Sequence, residues 1–167
     1  MDICGVLSAE QSKANTTSIV DYIGSDKERF AELMDIFLEG EYRLTQRAAW
    51  PISVCAETRP DLIGPYLNKL VDLLPRRDIH NAVKRNIVRL LQFIEIPKKI
   101  QGKVFSHCID LINDPNEAIA VRSFALTVAG NVANGNADLL NELHLVAEGS
   151  LGNATASFRV RFNRLFN

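Results

Sequence analysis

The feature that limits this chain most is a repeat. Displacing the 167-residue sequence against itself by about 38 residues lays one apolar pattern on another. Val83, Ile87, Leu90, Leu91 and Ile94 fall on Val121, Ala125, Val128, Ala129 and Val132, and Phe158, Phe162, Leu165 and Phe166 continue the series. A second set runs alongside it. Tyr66, Leu67, Leu70, Leu73 and Leu74 fall on Val104, Phe105, Cys108, Leu111 and Ile112. In the other direction Leu67, Leu70, Val71 and Leu74 fall on Phe30, Leu33, Met34 and Phe37. The spacing within each set is that of one face of an α-helix, not the alternation of a strand. No helical pair of this kind can bury its apolar face alone, so the pairs must stack on one another. Basic residues recur in the same register at Arg47, Lys84, Arg122 and Arg159. Phe124 departs from it, since its counterpart one repeat earlier is Asn86.

Cap and turn chemistry divides the pattern into elements. Residues 8–23 read as one weak helix stopped by Gly24, so residues 1–24 form an N-terminal cap segment. Helix 26–38 starts on Ser25-Asp26 and closes at Gly40. Helix 42–58 carries Pro51 in its interior, which predicts a kink near Arg47–Trp50. Helix 61–74 places Pro65 in its first turn, and helices 78–95 and 97–112 follow. Glu117–Asn134 is the most regular stretch, with Asp114-Pro115 as its expected cap and Asn134-Gly135 as its stop. Asn136 caps helix 137–149, and the last helix begins near Thr155. The reading is all-α: an α-α superhelix of about four helical hairpins over residues 25–167, plus an N-terminal cap helix.

The residues that carry a family likeness are the Asn113-Asp114-Pro115 turn, the Val121-Arg122 pair early in the following helix, and that helix's small-residue face. These resemble HEAT repeats, over roughly residues 25–167. The resemblance implies a right-handed HEAT/armadillo-like solenoid whose second helices line the concave side. It also implies a role in holding partners, since such repeats serve mainly as interaction scaffolds. The stretch RLTQRAAWPISVCAE followed by AVKRNIVRLLQFIE further resembles a bacterial HEAT-type family, a likeness that implies a fold and no activity.

Charge and composition narrow the function classes. A formal net charge of −1 gives no global attraction to nucleic acid or acidic membranes, so any basic surface must be local. Cys4, Cys55 and Cys108 are an odd number in or beside apolar runs, and read as reduced, mostly buried thiols. The N-terminus lacks a basic n-region and an apolar core, Met1-Asp2 does not fit the myristoylation pattern, and no apolar run reaches the ~20 residues of a membrane span. Cytoplasmic localisation is therefore expected, with no membrane association.

The candidate site is a basic series on the second helices: Arg43, Arg47, Lys84, Arg85, Arg89, Arg122, Arg159, Arg161 and Arg164. The first helices are acidic by comparison, as at Glu28, Glu32, Asp35, Asp138 and Glu142. One reading is a docking face for an acidic protein partner, centred on Arg43, Arg47, Trp50, Lys84, Arg85, Arg89 and Arg122. The other is an internal ladder in which the same arginines bond turn carboxylates, such as Asp78 and Asp114, and helix-end carbonyls. A nucleic-acid role is the runner-up, as a divergent relative of HEAT-like DNA alkylation-repair glycosylases that use groove aromatics and an aspartate. Only Trp50 would match that constellation, and it more simply fills the gap at the Pro51 kink.

Chemistry finds little support. His107 and His144 occupy nearly equivalent positions in successive first helices, but no third ligand has suitable spacing, so no metal is expected. His-Glu dipeptides, Gly-rich phosphate loops, paired catalytic carboxylates and G-x-S-x-G are all absent, which leaves no catalytic residue or cofactor to name. A non-enzymatic scaffold is the leading expectation. A third reading is end-to-end assembly through an uncovered last helix bearing Phe158, Phe162 and Phe166.

Overall fold

The computed structural model describes residues 1–167 and holds eleven α-helices, two short 3-10 turns and no strand. The helices fall into two compact units, Met1–Leu67 with Ile79–Asn86, and Asn68–Asp78 with Ile87–Asn167. The all-α class and the succession of helical pairs are as the repeat predicted.

The first unit holds α1 (Ile3–Ala9), α2 (Lys13–Ile23), α3 (Lys27–Glu39), α4 (Tyr42–Thr58), α5 (Pro60–Ile63) and the start of α7 (Asn81–Leu91). The N-terminal segment is two helices, not the single one expected. Asp2 caps α1 by accepting from the Gly5 amide at 2.9 Å, and Ser12 caps α2 by accepting from Asn15 at 3.1 Å. A seven-residue helix is marginal by itself. Here Ile3 and Leu7, one turn apart, are both buried, and α1 and α2 pack on α3 and α4. Asp26 caps α3 through the amides of Glu28 and Arg29. Phe30, Leu33, Met34 and Phe37 of α3 are buried, as are Ala48, Ala49, Ile52, Cys55 and Ala56 of α4. Each large side chain among them contributes roughly 2 kcal/mol of transfer free energy. α4 is one helix through Pro51, at the bounds its pattern gave.

The predicted helix 61–74 is interrupted. α5 ends at Ile63, Gly64–Tyr66 is a 3-10 turn, and α6 (Leu67–Leu73) resumes beyond it. Because the helix begins at Pro60, Pro65 lies past its first turn and has no amide to give. Gly64 before it adds little helical preference, so the backbone tightens, with the Leu67 amide donating to the Gly64 carbonyl. The predicted helix 78–95 is also shorter. α7 starts at Asn81, where His80 Nδ1 accepts from the Ala82 amide at 3.1 Å, and ends at Leu91.

The second unit holds most of α6, the end of α7, α8 (Lys98–Asn113), α9 (Ile119–Ala133), α10 (Ala137–Gly149) and α11 (Ala156–Phe166). Its centre is α9, against which α8, α10 and α11 all pack. That explains its small-residue composition. Val121, Ala125, Leu126, Val128, Ala129 and Ala133 are buried, and a Cβ added to Gly130 would meet Leu165 of α11 at 2.5 Å. α9 starts at Ile119, later than expected, because Asp114 closes α8 instead of capping α9. Its Oδ1 accepts from Asn116 at 2.9 Å and its carbonyl from Glu117 at 3.2 Å. Gly135, at φ 81°, supplies the left-handed stop after α9.

One further expectation is corrected. The aromatic face of α11 is covered: Phe158 is 3% and Phe162 7% exposed, and His144 of α10 lies 5.5 Å from the Phe162 ring and 4.9 Å from Phe166. The large apolar residue that α11 leaves exposed is Val160. Cys55 and Cys108 are buried, but Cys4 is exposed on α1.

Candidate functional site

A helix leaves its last carbonyls without intrahelical partners, and they carry its negative dipole end. In this fold, side chains of the following helices reach back to those carbonyls. Arg47 of α4 donates through Nη1 to Leu7 O at 2.6 Å and Ser8 O at 2.9 Å, in the last turn of α1. Arg122 of α9 donates through Nε to Ile112 O at 3.0 Å, in the last turn of α8. Arg159 of α11 donates to Ala154 O at 3.3 Å and Leu151 O at 2.6 Å. Thr45 does the same for α3, donating to Phe37 O at 3.1 Å. Arg47 and Arg122 therefore act as C-terminal caps, and Arg159 bonds the 3-10 turn and loop that precede its own helix. Each such charge-assisted bond contributes about 1.5–3 kcal/mol at most, less where water competes.

The turn carboxylates are engaged differently from the ladder reading. Asp78 pairs with Arg76, which holds its carboxyl below the usual range chiefly through that hydrogen bond. Asp114 lies 3.6 Å from Arg77. Both partners are loop arginines, not helix ones.

The seven residues of the expected docking face fall into distinct groups. Arg47 and Arg122 are half-buried and bonded to carbonyls. Lys84 is buried, at 7% exposure. Trp50 is half-buried beside the buried Pro51. Arg43 and Arg89 are exposed and Arg85 half-buried, and the side chains of these three have no hydrogen bond or ion pair within the chain. In the first unit the Tyr42 and His80 rings lie 4.5 Å apart, so Arg43 and Arg85 ride on adjoining ends of α4 and α7. Arg89 belongs to the second unit. There an open groove of about 570 Å³ runs between the α8–α9 turn and the end of α10, with Arg122 on its wall.

One member of the basic series stands out in the structure although no sequence argument singled it out. Arg161 Nη1 donates to Gln92 Oε1 at 2.9 Å and to Thr127 Oγ1, and its guanidinium carbon sits 5.1 Å from the Phe124 ring centre. Burial, and then the neighbouring Arg164 charge, lower its pKa from the ordinary arginine value. The signal available in the sequence was the register break at Phe124. An aromatic stands where the preceding repeat has Asn86, and an arginine of the next second helix stacks on it.

Of the histidines, His144 is taken up by the Phe162 and Phe166 rings, and His107 is half-buried in α8. No helix is long and apolar enough to cross a membrane. A family model described as a HEAT repeat domain matches residues 4–161 of the chain. No curated protein and no solved structure matches it.

Proposed function

The chain belongs to the HEAT repeat domain family, and from that premise we propose that it is a non-enzymatic scaffold whose second-helix arginines hold an acidic protein partner. HEAT repeats commonly serve as protein-interaction scaffolds, which is the broad part of this reading. What carries the finer part is the division within the basic series. Arg47, Arg122 and Arg159 are consumed by backbone carbonyls, whereas exposed Arg43 and Arg89 and half-buried Arg85 have no acceptor of the chain. An arginine that serves folding finds a partner within the fold. One that serves a partner keeps its planar donor fork unoccupied.

Charge reversal tests the reading. Arg85→Glu/Arg89→Glu changes two positions, i and i+4 on α7, that make no bond within the chain, so the thermal midpoint should stay close to the parent's. Capture of a fluorescein-labelled peptide of glutamates and alanines, followed by anisotropy, should be lost. Equal capture by parent and variant would remove α7 from the docking face. Stronger binding of a labelled single-stranded oligonucleotide than of the acidic peptide would favour the nucleic-acid alternative instead.

A further inference from the structure

We propose that the outer side of α11, at Arg161 and Arg164, is a docking point for an acidic polypeptide segment that seats a carboxylate on the Arg161 guanidinium. This rests on the scaffold reading above and extends it to a helix outside the face expected from sequence.

Arg161 carries a charge that no group of the chain compensates. Arg161 is half-buried, yet its bonds go only to neutral acceptors, the Gln92 amide oxygen and the Thr127 hydroxyl. No carboxylate of the chain reaches it, and the nearest charge acting on it, Arg164, is repulsive. Taking a guanidinium partly out of water without a counter-charge costs free energy, and an incoming carboxylate would offset that cost. The same bonds fix the group in place. Nη1 is held from two sides and the plane is backed by the Phe124 ring, while Nε and Nη2 keep their donors. A held guanidinium with spare donors is pre-organised for a bidentate carboxylate, because little side-chain entropy remains to be lost on binding.

The surroundings set the kind of partner. A recess of about 310 Å³ is lined by Ala156, Ser157, Val160, Arg161 and Arg164, spaced i, i+1, i+4, i+5 and i+8 along one side of α11. Ala156 and Val160, the latter 58% exposed, give it an apolar part, and both arginines line it. That combination fits a segment carrying an acidic side chain next to an aliphatic one. A nucleic-acid backbone would call for a longer run of convergent cations and no apolar floor.

The test measures anisotropy of a fluorescein-labelled peptide of glutamates and alanines interrupted by leucine, with a glutamine-for-glutamate peptide as control. Arg161→Gln should weaken binding of the acidic peptide by about tenfold or more, and Arg164→Gln by about threefold. Arg161→Lys should recover little, since it restores charge but not the fork. Should Arg161→Gln lose its fold in a thermal melt, the exposed position decides: Val160→Glu, which puts a carboxylate in the recess, should abolish binding with the melt unchanged. Binding unchanged in Arg164→Gln and Val160→Glu, but lost in Arg85→Glu/Arg89→Glu, would overturn this inference and leave the scaffold reading standing. No binding of the acidic peptide by the parent chain would overturn both.

Discussion

At the scale of single residues, neighbours on one helix have opposite consequences. Arg122 satisfies the Ile112 carbonyl, so Arg122→Ala should lower unfolding free energy by about 1–2 kcal/mol. Ser123, next to it, is 1% exposed and its hydroxyl has no partner, so Ser123→Ala should raise stability by about 1 kcal/mol. Urea titration of both variants gives the two signs directly. The thiols divide in the same way. Exposed Cys4 should react with a maleimide in the native protein, while Cys55 and Cys108 should react only on unfolding. Burial pushes Cys55 up to about 11, against a smaller pull from Arg59, and Cys108 up to about 12, from the ordinary 9.0. The unfolded chain therefore releases these protons first as pH rises. Their contribution is complete below pH 9.0 and is lost from there through 11 to 12. The fall of the urea midpoint above pH 9.0 should be shallower in Cys108→Ala than in the parent. Burial of Cys55 and Cys108 was legible from their apolar runs. Exposure of Cys4 was not, because α1 turns that position outward while Ile3 and Leu7 turn in.

At the scale of elements, helices were legible where the apolar face repeats over at least three turns and a cap residue marks the start. α3 and α10 meet both conditions, α4 and α8 the first alone, and the observed ends of all four lie within about a residue of those expected. The helix at 61–74 met the first condition only, and Gly64-Pro65 broke it. Leu90 and Phe124 are both large apolar side chains on second helices, and the structure separates them. Leu90 is 3% exposed, whereas Phe124 is half-buried with Arg161 over its ring. Leu90→Ala should therefore cost about 3 kcal/mol, with Phe124→Ala nearer 1 kcal/mol, both read from chemical denaturation. Equal losses would mean that Phe124 belongs to the core after all.

At the scale of the whole molecule, a net charge of −1 means that attraction to an acidic partner can come only from local groups. Affinity for the acidic peptide should then fall several-fold between low and physiological salt, as the screening length shrinks from about 30 Å to about 8 Å. Anisotropy across a salt series checks this, and an affinity indifferent to salt would point to apolar docking instead. The repeat by itself determined the all-α class, the pairing of helices and the position of most of the core. Those follow from where apolar side chains recur along the chain, and any stacking of such helices must bury them. Only the tertiary structure decided what each arginine bonds. Arg47, Arg122 and Arg159 share one register position, which sets them apart from Arg85, Arg89 and Arg161 in the sequence but does not say what they bond. What separates them is whether a backbone carbonyl lies within reach of the guanidinium, and that distance is set by how each helix packs on the segment it meets, close in sequence for Arg122 and Arg159 and distant for Arg47.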